Sequence, residues 1–114
     1  MEKISSTRMG ACSLYKHGER YMISAPTSNR YDKTFVLYLG EDKESACLTL
    51  RDLILLCDNI EKDVPVYIDN GTKTCSIHKG TMGTLAFFQD GFAGFASFSK
   101  MEFDKFLTAL MPEL

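Results

Sequence analysis

The sequence predicts an α+β fold of two tandem ββββα units, with antiparallel sheets packed against two helices. Three observations predict it: a capped amphipathic helix pattern near the C-terminus, a second such pattern 50 residues upstream, and strand-like runs with turn signals before each. At 114 residues the chain reads as one domain, 1–114, with repeats at 9–63 and 64–114 and a flexible polar tail at 1–8.

The helices come first because their signals are densest. Ser99-Lys100-Met101-Glu102 reads as a capping box, in which Ser99 accepts from the Glu102 amide and Glu102 reaches back. Phe98 and Phe103 stand at the staple positions, and Phe103, Phe106, Leu107 and Leu110 share one helical face before Pro112 ends it. Fifty residues earlier, Thr49 takes the cap position and Asp52 the first-turn acid. Leu48 and Leu53 form that staple, and Leu53, Leu56, Cys57 and Ile60 the stripe. At the same offset, residues 34–38 lie over 84–88.

The strands follow from alternation and turn chemistry. Residues 11–15 and 20–24 flank a turn at His17-Gly18. Residues 64–68 and 73–77 flank Asn70-Gly71, a strong hairpin signal when both turn positions take positive φ. The two turns lie 53 apart rather than 50, so the loop at 26–33 is three residues longer in the first unit. The fourth strands are placed at 44–48 and 92–98, with a turn at Asp90-Gly91 and a bulge at Gly94. Phe87 and Phe88 must point to opposite faces, so one of them leaves the core for a second layer, a partner or solvent.

Composition narrows the function classes. No apolar run approaches the roughly 20 residues that cross a bilayer, and the first eight residues hold no apolar stretch of a secretory signal. The expected location is intracellular, cytoplasmic or nuclear, without a membrane role. Cys12, Cys47, Cys57 and Cys75 all sit in apolar segments and none forms a CxxC pair, which reads as four buried, reduced thiols without zinc. His17 and His78 fall in turns. There is no nucleophile elbow, phosphate-binding glycine loop or metal motif, so the expectation is a non-enzyme that needs no cofactor. Residues 1–40 hold Lys3, Arg8, Lys16, Arg20, Arg30 and Lys33 against three acids, whereas 41–63 are dominated by acids such as Glu41, Asp42, Asp52 and Asp58. A basic half-sheet beside an acidic helix makes a polar molecule despite a net charge of −2.

Four antiparallel strands followed by a helix, twice in one chain, resembles the Whirly and PUR proteins, a superfamily of single-stranded nucleic-acid binders. Arg20-Tyr21-Met22-Ile23-Ser24 resembles the basic-aromatic second strand of a PUR repeat, and Ser45-Ala46-Cys47-Leu48-Thr49-Leu50 its last strand entering the helix. The resemblance covers most of the chain as topology and about a dozen residues as sequence. It implies a non-catalytic binder of single-stranded DNA or RNA, acting in transcription or replication.

The residues point the same way through interleaved cations and rings. Tyr15, Lys16, Arg20, Tyr21, Arg30, Tyr31 and Lys33 form such a set in the first unit, with Lys73 and Lys79 in the second. Cations follow phosphates and rings stack bases, each stack being worth about 1–3 kcal/mol. The alternative is a protein-interaction or assembly module without nucleic acid, a homodimer or a partner's docking platform. The density of Phe87, Phe88, Phe92, Phe95 and Phe98 and the apolar C-terminal end at 110–114 speak for it.

Overall fold

Alternation of buried and exposed side chains builds two four-stranded antiparallel sheets, each followed by a helix. The computed structural model describes residues 1–27, 33–89 and 95–111. The first sheet is a meander of β1 (Glu2–Thr7), β2 (Cys12–His17), β3 (Arg20–Pro26) and β4 (Thr34–Gly40), after which comes α1 (Lys43–Asn59). The second is a meander of β5 (Val66–Asn70), β6 (Lys73–Lys79), β7 (Leu85–Phe88) and β8 (Ala96–Phe98), followed by α2 (Lys100–Leu110).

Residues opposite each other in a ladder share a face, which sorts the side chains. Leu14, Ile23 and Leu37 form one inward row of the first sheet. Val66, Ile77, Phe87 and Ala96 form one of the second. The two inward faces meet where Phe35 lies 6.0 Å from Phe87 and 6.3 Å from Phe98. Helix α1 packs on β4 and on α2, and α2 packs on β1, so both helices close one shared core. Phe87, Phe98, Phe103 and Phe106 are fully buried in it. Each such ring contributes about 1.5–3 kcal/mol, against 0–1 for an exposed ion pair, so the phenylalanines hold the halves together.

Several expectations need correction. Residues 1–8 are not a flexible tail: Glu2–Thr7 is edge strand β1. With Ile4 its one apolar residue, β1 is secured by polar contacts to the far end of the chain. Arg8 donates from Nε and Nη2 to Glu102 at 2.9 and 2.8 Å and also to the Ser97 carbonyl. The Thr7 hydroxyl donates to Glu102 too, and Lys105 Nζ reaches the Ser6 carbonyl at 2.6 Å.

Residues 44–48 are helix, not a fourth strand. Asp42 caps α1 and accepts from the Ser45 amide at 2.8 Å, closing a capping box about two turns before Thr49. Ala46, Cys47, Leu50, Leu53 and Cys57 are buried at helical spacing. Thr49 is therefore interior to the helix and donates to the carbonyls of Leu39 and Ser45 at 2.7 and 3.0 Å. Leu48 is more than half exposed and forms no staple. The second cap stands where it was placed: Ser99 and Glu102 form a capping box, with Phe98 5.7 Å from Phe103.

The 50-residue offset therefore lays edge strand β4 over β7, which lies inside its sheet. The hairpin turn also moves by one residue. Asn70 pairs with Lys73 as the last residue of β5, leaving Gly71 and Thr72 as the loop, with Gly71 alone at positive φ (+71°).

Candidate nucleic-acid interface

The outward face of the first sheet carries a row across all four strands: Lys3, Tyr15, Met22 and Tyr38. Cations stand over both rings, Lys3 Nζ at 6.0 Å from Tyr15 and Arg20 at 5.9 Å from Tyr38. Tyr38 is 40% exposed. In β4 it alternates with Phe35, Leu37 and Leu39, which face the core, so its outward direction is legible in the sequence.

Beside Tyr38 the edge of β4 meets the β5–β6 hairpin, and a cleft of about 500 Å³ opens between them. Arg20, Lys33 and Lys73 line it, with Tyr38, Thr27, Thr72 and Gln89. A second hollow of about 410 Å³ continues it past Arg20, Tyr38 and Gly71 to Glu41. Arg20 pairs with Glu41 at 3.1 Å. Both side chains are well exposed, so this pair contributes little. Gly71 is demanded twice, by its positive φ and by the Tyr38 ring, which would lie 3.1 Å from an added Cβ.

One buried side chain fixes the cleft. Asn70, 3% exposed, accepts from the Tyr38 amide at 2.9 Å through Oδ1. Its Nδ2 donates to the Val36 carbonyl at 2.9 Å and to Gln89 Oε1 at 2.7 Å. The carboxamide thus pairs with a strand edge as another strand would, tying the hairpin of one sheet to the edge of the other.

The nine residues nominated from sequence part company here. Arg20, Lys33 and Lys73 converge on the cleft. Tyr15 lies on the adjoining outward face, half-buried. Lys16 and Tyr21 pair on the opposite, inward face. Tyr21 is 5% exposed with Lys16 Nζ 5.8 Å from its ring, so it is a core aromatic and no stacking platform. The strand alternation that turns Tyr38 outward turns Tyr21 inward. Lys79 ends β6 at the far end from Lys73. Arg30 and Tyr31 lie outside the described residues.

The second sheet presents rings without that set of cations. Tyr67, Ser76 and Phe88 form an outward row, with Tyr67 two-thirds exposed. Phe88 stacks on Phe95 at 4.6 Å and meets His78 edge-on at 5.0 Å. Phe87 is the inward member of the pair, fully buried.

The thiols suit packing rather than chemistry. All four cysteines are buried and unpaired. Burial pushes Cys75 up to about 11 and also raises Cys12 and Cys57, which disfavours the reactive thiolate. Among the described residues, no group of His, Cys, Asp and Glu is arranged to hold a metal ion, and no helix is long and apolar enough to cross a membrane.

Compared with family models, with curated proteins and with solved structures, the chain matches none.

Proposed function

We propose that the protein binds single-stranded nucleic acid without catalysis, through the cleft beside β4 and the outward face of the first sheet. The observation that carries this reading is the convergence of Arg20, Lys33 and Lys73, from three separate segments, around the exposed ring of Tyr38. Three cations can follow successive phosphates, and Arg20, in turning from the Tyr38 ring to a phosphate, frees that ring for a base. Tyr15 and Lys3 extend the track across the sheet.

The same reading keeps the kinship with Whirly and PUR proteins as a proposal. Its support is the order of four antiparallel strands and a box-capped helix, occurring twice. A duplication would match the halves by order of elements, β1–β4 with β5–β8, rather than at the 50-residue offset.

Fluorescence anisotropy with a labelled oligonucleotide at low salt tests the function. Binding should weaken with salt at a log–log slope of about −2, three phosphate contacts at roughly 0.7 each. Arg20→Ala, Lys33→Ala and Lys73→Ala should each flatten that slope by a similar step. No binding at roughly 50 µM protein would defeat the proposal.

The second reading, an assembly module, is favoured by the outward rings Tyr67, Phe88 and Phe95. Sedimentation decides for it if the chain is an obligate homodimer, or a complex with another protein, that ignores nucleic acid.

A further inference from the structure

We infer that Gln89 reads the edge of a base held on Tyr38, favouring bases that carry a keto oxygen where adenine and cytosine carry an amino group. Thymine, uracil and guanine are the favoured bases. This deepens the nucleic-acid reading of the cleft and rests on it.

The inference follows from a chain of forced hydrogen-bond directions. The Tyr38 backbone N–H can only donate, so it selects the oxygen of the Asn70 carboxamide, 2.9 Å away. Asn70 Nδ2 is then a donor without choice. It serves the Val36 carbonyl at 2.9 Å and the Gln89 side chain at 2.7 Å. A donor must meet an acceptor, so Gln89 turns Oε1 toward Asn70. The Gln89 Nε2 protons are what remains, and Gln89 lines the cleft. A backbone amide of one sheet has thereby set the polarity of a side chain belonging to the other.

The surroundings reinforce that polarity. Arg20, Lys33 and Lys73, which line the same cleft, are donor-only groups, while the hydroxyls of Thr27, Thr34 and Thr72 beside them can donate or accept. A base laid on Tyr38 therefore finds donors from Gln89 and phosphate-seeking cations around it. Thymine or uracil O4 and guanine O6 accept from such a donor. Adenine N6 or cytosine N4 placed at that same point would set donor against donor, and the base would have to turn to offer a ring nitrogen or cytosine O2 instead. One hydrogen bond gained against one lost separates the two classes by roughly three- to tenfold in affinity.

The test compares oligothymidylate with oligodeoxyadenylate of about 12 nucleotides, by anisotropy at fixed low salt. The unaltered protein should bind the thymidylate strand roughly three- to tenfold more tightly. Adenine strands also stack on themselves, so the variants are decisive. Gln89→Glu keeps an acceptor for Asn70, preserving the fold, and turns an acceptor into the cleft. The ratio of thymidylate to adenylate affinity should then fall to one or below, whatever the added charge does to both. Gln89→Met should bring the ratio near one while salt-dependent binding persists. Equal affinities in the unaltered protein, or a ratio that neither substitution moves, would overturn the inference and leave the cleft as a nucleic-acid site. Failure to bind either strand would sink the parent reading, and the role of Gln89 with it.

Discussion

Replacing Asn70 by glycine separates two explanations of the same residue. If Asn70 served only the hairpin turn, glycine would be neutral or better, since it takes positive φ without cost. In the structure Asn70 is instead the last residue of β5, and its side chain makes three hydrogen bonds at 2.7–2.9 Å while almost wholly buried. Glycine removes all three and strands the Tyr38 N–H and the Val36 C=O. Fully buried, each orphaned group would cost about 1–3 kcal/mol. The cleft lets water reach this edge, so the lower end applies and the total comes to about 2–3 kcal/mol. For a domain of this size that lowers the thermal midpoint by about 8–12 °C. Urea titration and thermal melts followed by circular dichroism measure it. Asn70→Ala is the companion variant, losing the same bonds without glycine's added chain entropy. A glycine variant within about 0.5 kcal/mol of the parent would refute the clamp and return Asn70 to a turn residue.

Two further predictions concern titratable groups. Burial pushes Glu102 upward, but hydrogen bonds from Arg8, Thr7 and the Ser99 amide outweigh it and hold its pKa below the ordinary value. A carboxylate depressed on folding stabilises the protein above its unfolded pKa and loses that contribution as pH falls through the folded one. Stability should therefore drop more steeply below about pH 4.5 in the parent than in Glu102→Gln, in urea midpoints taken from pH 6 to pH 3. Parallel curves would show that the Arg8 contact contributes nothing. The thiols provide the other test: with Cys75 pushed up to about 11 and every cysteine buried, a thiol reagent at pH 8 should label the native chain far more slowly than the urea-unfolded chain. Rapid native labelling would show that the core opens readily.

What the sequence disclosed was whatever acts within a few residues. The α2 cap, its staple and its stripe are all contacts between residues five or fewer apart or on one face, and they stand as read. The opposite directions of Phe87 and Phe88 needed only the pleat. The misread segments are those where two local rules compete. Ser45-Ala46-Cys47-Leu48 has strand-like composition, but Asp42 with Ser45 makes an equally local cap, and burial of Ala46, Cys47 and Leu50 on one face decides for helix. β1 has almost no apolar signal, because it is held by its backbone ladder to β2 and by polar groups on α2.

Long-range partnership explains why the cleft was only half legible. Arg20, Lys33 and Lys73 were recognisable as cations in strand-like surroundings, yet nothing local says that they share a hollow while Lys16 and Lys79 do not. The deciding contact is the Asn70 carboxamide on Val36, 34 positions away in the chain. Glu102 shows the same division within one side chain. Its return to the Ser99 amide, at 3.2 Å, is a three-residue motif that any reader of the sequence finds. Its pairing with Arg8 spans 94 positions and has no motif at all. Asn70 and Glu102 are polar groups to which local rules already assign a role, as a turn former and a cap. A group whose local role is already accounted for is where a second, distant role escapes notice. Asn70 carries such a role into the cleft, because its orientation fixes Gln89 Oε1 as the end of that carboxamide it holds.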